Sequence, residues 1–173
     1  MVLGGLHVAA ACTALAVGSA VLLRRKGGTA HVALGRVFLA AMVLVDVPAL
    51  LLYEATGGPG PFHVLAVVSL GTTALGWLSV RRGPGSWGGV AAHAAFMTWS
   101  WIGVVTAGLA QLANQLWPAR SPWPVLAVVA LASAAGSAWV PRFVAAQASL
   151  HREQPQQREH REPAASCGPR RAC

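Results

Sequence analysis

The chain has 173 residues, of which 55% are hydrophobic and only 10% charged, and it carries a formal charge of +8. That composition is too apolar for a soluble domain with an ordinary surface. The positive charge would suit nucleic acid, but the basic residues stand at the ends of apolar segments, so they report membrane topology and, at most, attraction to anionic headgroups.

Five stretches are long enough to cross a hydrocarbon layer of roughly 30 Å, which takes about 20 helical residues. The first spans 2–23 and contains His7 and Cys12. It has no basic residues before its apolar run, and Arg24, Arg25 and Lys26 follow it, so it reads as a retained helix and not as a cleaved signal peptide. Gly27-Gly28-Thr29 separates it from the second stretch, 30–53, with Thr29 the expected N-cap. This second segment contains His31, Arg36, an aspartate expected at mid-membrane depth, Asp46, and Pro48, which frees the carbonyl of Leu44 and predicts a kink.

A Gly- and Pro-rich link, 57–61, leads to the third segment, 62–80, which opens with His63 and is followed by Arg81 and Arg82. The fourth, 90–112, contains His93, and the fifth covers 123–141. The remainder, 142–173, is rich in Gln, Arg, Glu and Pro and has too little apolar area to offset its ordering entropy, so it is expected to be a disordered cytoplasmic tail. His151 and His160 lie there without metal-like spacing, as do Cys167 and Cys173. Trp87, Trp117, Trp123 and Trp139 fall near segment ends, where an amphipathic ring suits the headgroup boundary. The fold class predicted is all-α: a polytopic membrane protein with a four-helix transmembrane bundle and a fifth, peripheral transmembrane helix.

Twelve of the 13 Lys and Arg residues fall on one side of this topology, Arg120 being the exception. The positive-inside bias then places the N-terminus outside and the tail in the cytoplasm, in a multi-pass plasma membrane protein.

Four histidines, His7, His31, His63 and His93, each stand in the first turns of successive segments that are otherwise nearly free of ionisable groups. At 100° per residue, His7 shares a stripe with Ala11, Ala14 and Gly18, all small, which admits either a bulky flat group or a close neighbouring helix. His31 shares one with Gly35, Phe38, Met42, Ala49 and Tyr53, Asp46 lying to one side. The stripe of His93 holds Met97, Ser100, Val104 and Gln111, and its polarity turns it toward protein rather than lipid.

Taken together, His31 with Leu34-Gly35-Arg36, Gly60-Pro61-Phe62-His63 with Leu65-Ala66 and Ser69-Leu70, and His93 with Phe96-Met97, Trp99-Ser100-Trp101 and Gly103 resemble the bacterial membrane proteins grouped as domain of unknown function 2306. The resemblance covers about residues 1–118 and leaves the fifth segment outside it. It implies a multi-pass membrane protein and carries no activity.

Chemistry that would use these residues comes from the bundle geometry. Segments one and three lie diagonally, as do two and four, so His7 would meet His63 near the outer face and His31 would meet His93 near the inner one. Two facing imidazoles are what a haem iron needs, giving two b-type haems per chain and electron transfer between a donor and an acceptor on opposite faces. Cytochromes of the b-561 type look similar in architecture only, with no shared residue motif. Arg36, with Arg24, Arg25 or Lys26, would neutralise a propionate, against the plainer reading of arginines snorkelling to phosphate. A zinc site would have only Glu54 and Asp46 as carboxylates outside the tail. The competing class is a non-redox transporter or accessory membrane protein in which Asp46 is the working residue. No nucleophile–base constellation, phosphate-binding glycine loop or paired-carboxylate motif is present, which disfavours hydrolase or kinase chemistry.

Overall fold

The computed structural model describes the backbone of residues 2–51, 60–82, 87–117 and 123–165, with side chains over the same ranges except 2–3, 61–62, 87 and 149–165. Five helices follow in order: α1 (Val2–Leu23), α2 (Thr29–Leu51), α3 (Pro61–Arg82), α4 (Trp87–Leu116) and α5 (Trp123–Ala165). All five are long and apolar enough to cross a membrane. No strand occurs among the described residues.

Short connections force neighbouring helices to run antiparallel. Between α1 and α2 the chain reverses at Gly27, whose φ of 84° lies in the left-handed region that glycine tolerates best. The first turn of α2 closes with Val32 N–H on the Gly28 carbonyl, 3.1 Å, one residue ahead of the cap expected at Thr29. Lys26 finishes α1 in the manner of a cationic C-cap, its Nζ donating to the carbonyls of Val21, Leu22 and Arg24 at 3.2, 2.5 and 2.9 Å.

Packing is most extensive within two hairpins, α1 with α2 and α3 with α4. The hairpins meet along a less extensive seam, α2 against α3 and α1 against α4, which closes a four-helix ring with α1 diagonal to α3 and α2 diagonal to α4. Helix α5 packs on the outside of α4, as a peripheral fifth helix. Gly136 makes this close docking work: a Cβ there would stand 2.8 Å from Trp99 Cη2.

The core of the ring is Ala14, Phe38, Ala41, Met42 and Val104, ringed by Leu15, Val17, Met97 and Trp101. Outward the helices show bare apolar surface, such as Leu131 at 72% exposure and Val64 at 64%, which a hydrocarbon layer would cover.

One boundary differs from the sequence reading. Helix α5 does not end at 141, and residues 142–165 of the expected disordered tail continue it. Pro141 lies on the exposed side, where its missing N–H costs the helix one bond, and the apolar run then resumes with Phe143 and Val144. Trp139 and Phe143 stack with centroids 5.5 Å apart, and Lys26 Nζ lies 5.5 Å over the Phe143 ring, tying α5 to the α1–α2 turn. Residues 166–173, with Cys167 and Cys173, lie outside the described residues, as do Tyr53, Glu54 and Arg120.

Candidate functional site

The antiparallel ring has two ends. One gathers the starts of α1, α3 and α5 and is called the N-terminal face. The other gathers the ends of α1 and α3 and the starts of α2 and α4, with Arg24, Arg25, Lys26, Arg81 and Arg82, and is called the basic face.

Near the basic face, α2 and α4 bring His31 and His93 together across the seam between the hairpins. Their ring centroids are 6.5 Å apart and the ring planes stand at 77°. Both rings are half-buried. His93 Nδ1 lies 2.8 Å from the Gly76 carbonyl of α3, so that nitrogen carries the proton and donates. In the neutral ring, Nε2 of His93 then keeps its lone pair. His31 Nδ1 is buried with no hydrogen-bond partner. Small neighbours make the approach feasible: Ala91, Ala92 and Ala94 beside His93, and Gly35 one turn from His31 with open space around it.

The other expected pair is engaged differently. His7, half-buried on α1, has Nδ1 3.0 Å from the carbonyl of Val45 and donates to it. The acceptor is the neighbour of the Leu44 carbonyl, the one that Pro48 leaves without its helical donor. His63 is 7% exposed, and its Nδ1 accepts the Gly60 N–H at 3.1 Å, capping the start of α3. A nitrogen that accepts from the backbone leaves the proton of the neutral ring on the other one, so this geometry does not offer His63 Nε2 as a metal ligand. His7 and His63 therefore take separate backbone partners.

Asp46 stands 17 residues past Thr29 on α2, about 25 Å along the axis from the basic end at 1.5 Å per residue, toward the N-terminal face. It is 3% exposed. The Ser69 hydroxyl of α3 faces it, and beyond that mutual contact neither Asp46 Oδ2 nor Ser69 Oγ has a hydrogen-bond partner.

The interior also holds a hydroxyl chain that the stripe-by-stripe reading overlooked. Thr72 Oγ1 donates to the Ser69 carbonyl at 2.9 Å, and Thr73 Oγ1 donates to Ser100 Oγ at 3.0 Å. The Ser100 hydroxyl in turn donates either to Thr72 Oγ1, 3.0 Å, or to the Phe96 carbonyl, 2.9 Å. A signal was present: Ser69, Thr73 and Gly76 fall with His63 in one arc of about 140° on α3 when residues are stepped at 100°. The stripe through His93 does face inward at Met97, Ser100 and Val104, but Gln111 is exposed.

Arg36 is exposed, and five residues past His31 it is turned about 140° away around the helix. That points it toward the headgroups rather than to the histidine pair. Lys26 is committed to its carbonyls, and its partial burial pushes the ammonium below the usual lysine range. Arg81 lies 4.1 Å over the Trp77 ring. The best-formed hollows described, about 630 and 590 Å³, are grooves on the α4–α5 and α2–α3 surfaces, and no histidine lines either. Among the described residues no three metal-binding side chains converge.

Five apolar helices, four in a closed ring and one flanking it, define a multi-pass membrane protein. The chain belongs to the family described as predicted membrane protein, domain of unknown function 2306, whose model matches residues 4–150. The match includes the membrane part of α5, which the resemblance read from the sequence had left out. Neither a curated protein nor a solved structure matches the chain.

Proposed function

We propose that the protein is a membrane electron carrier that holds one b-type haem near the basic face, with His31 and His93 as the iron ligands. The observation that carries this reading is the 6.5 Å separation of the two rings. Two imidazoles bound on opposite sides of one metal, with metal–nitrogen distances of about 2 Å, stand about 6 Å apart centroid to centroid. The chemistry of the donors agrees: His93 gives its Nδ1 proton to Gly76, the usual second interaction of a ligating histidine, and His31 has a buried nitrogen that the protein itself leaves unused. Zinc would need further ligands, and the described residues converge none beside this pair. Two imidazoles suffice only when a macrocycle supplies the other four donors.

The seam between the hairpins is where a flat group would enter, since α2 and α4 belong to different hairpins and the ring of helices is least tightly joined there. The Gly60 N–H bond to His63 Nδ1, which places that ring's proton on Nε2 and leaves His7 without a second imidazole, favours one haem over the two expected from spacing alone. When bound, the haem supplies reversible one-electron chemistry. The chain would supply the imidazoles of His31 and His93 as the groups that hold it and a positive margin at the basic face. Its electron donor and acceptor are membrane or surface partners. Detergent-purified protein from haem-replete cells should be coloured, with a b-type reduced-minus-oxidised spectrum and one haem per chain by pyridine haemochrome. A colourless preparation would sink the proposal.

The reading includes an orientation, with the N-terminal face outside the plasma membrane and the basic face in the cytoplasm, following the distribution of Arg and Lys. A reporter inserted after Gly58 should be active outside, and one at the C-terminus should be active inside. The reverse pattern would move the haem to the outer face.

A further inference from the structure

The electron carrier reading makes no use of Asp46, the most deeply placed acidic group described. It is 3% exposed, its partner across the α2–α3 seam, Ser69, is 8% exposed, and beyond their mutual contact Asp46 Oδ2 and Ser69 Oγ have no hydrogen-bond partner. A polar pair closed on itself in an apolar seam is costly, and such pairs are kept where they serve a ligand or a transfer step. The size and chemistry of the site restrict the ligand. One carboxyl and one hydroxyl are too few oxygens to replace the six that a hydrated metal cation expects, whereas they are sufficient for a proton.

The surrounding charges point the same way. Helix α1 brings one histidine, His7, and no charged residue; Cys12, its other titratable group, is exposed. Helix α3 brings His63, with Arg81 and Arg82 at its far end, and α4 brings only His93, also at the basic end. Among the described residues no cation therefore stands beside the carboxylate form, and an ionised carboxylate in that setting is costly unless a proton joins it. His7 is half-buried, lies toward the N-terminal face, and is held by the carbonyl of Val45, the residue next to Asp46. A histidine in that position can accept a proton from water and release it inward. On the other side, the Ser69 carbonyl accepts the first hydroxyl of the Thr72–Ser100–Thr73 chain.

We propose that Asp46 and Ser69 form a proton-binding site in the N-terminal half of the bundle, loaded from the N-terminal face by way of His7. Uptake is a simple association: the carboxylate gains one proton, delivered from water through the His7 ring, and becomes a neutral carboxylic acid that donates to Ser69 Oγ. No electron moves in this step.

The test is infrared difference spectroscopy of the full-length protein in nanodiscs, cycled between acid and alkaline pH. A carboxylic acid carbonyl stretch should appear on acidification, shift in heavy water, and be missing from Asp46→Asn. Subtracting that variant cancels Glu54, Glu153, Glu159, Glu162 and the C-terminus. Ser69→Ala should retain the band at a shifted frequency, because the acid loses its acceptor. Asp46→Glu, which keeps the chemistry if the amide variant fails to fold, should also retain a shifted band. His7→Ala should slow the rise of the band severalfold after a pH jump. A band unaffected by Asp46→Asn, or one that never changes with pH, overturns the site; a rate unchanged in His7→Ala overturns the route. His93→Ala, which removes the proposed iron ligand, should leave the band as in the wild type, so the two proposals fail separately.

Discussion

His93→Ala should lose the b-type spectrum entirely, and His31→Ala should do the same, whereas His7→Ala and His63→Ala should keep it. The expectation follows from which nitrogen each histidine has to spare. His93 directs Nδ1 to Gly76 and keeps Nε2, and His31 sits 6.5 Å away with an unused buried nitrogen, so each supplies half of an axial pair. His63 Nδ1 accepts the Gly60 N–H, which puts its ring proton on Nε2, and His7, although it donates to Val45 as His93 does to Gly76, is then left without a second imidazole. Removing either should cost about 1 kcal/mol of stability for a lost hydrogen bond, with the iron untouched. A packing role for His93 predicts a loss of thermal stability and nothing else. Added imidazole discriminates further: it should restore colour to His93→Gly, because a free ring can occupy the vacated ligand position, and it has no reason to restore a merely structural contact. Equal loss of the spectrum in all four variants would instead favour the two-haem arrangement expected from histidine spacing.

The second large effect concerns how the hairpins close. Gly18→Leu should lower the melting temperature in detergent on the order of 5 °C, as read by a thermal unfolding scan. A Cβ at Gly18 would collide with Trp101 Cδ1 and lie 2.9 Å from Phe38 Cε2, both in the packed layer that joins α1 to α4 and α2. Overpacking of that kind typically costs about 1–3 kcal/mol. Gly35→Ala is the matched control, since a Cβ there meets nothing within 4 Å. It should be neutral or slightly stabilising, because alanine is the better helix former. If both substitutions destabilise alike, the close contact at Gly18 does not explain the result.

The close approach at Gly18 also settles one ambiguity of the sequence. The small stripe from His7 through Ala14 to Gly18 was compatible with a flat cofactor or a near helix, and the structure fills it with Phe38 and Trp101. Periodicity identifies a face; it does not say which neighbour occupies it. The same holds for the histidines. Spacing and antiparallel topology predicted that α2 and α4 would bring His31 and His93 together, and they do. The parallel argument for His7 and His63 did not foresee that the Gly60 N–H would donate to His63 Nδ1, or that His7 would donate to the Val45 carbonyl.

The five apolar helices, their antiparallel order and the concentration of basic residues at one end were determined by the sequence alone, because burying backbone in hydrocarbon requires long uninterrupted helices and short loops fix their direction. The peripheral position of the fifth helix was legible as well. What the tertiary structure decided was everything that depends on rotation, depth and neighbours. Asp46 gained its partner only when α3 brought Ser69 against it. Arg36 turned outward because five residues carry it off the His31 face. Helix α5 ran past Pro141 because Phe143 found a ring and a cation to pack against. Ser69, Thr72, Thr73 and Ser100 became one polar chain only when α3 met α4, since a hydroxyl in sequence has no partner until another helix supplies it.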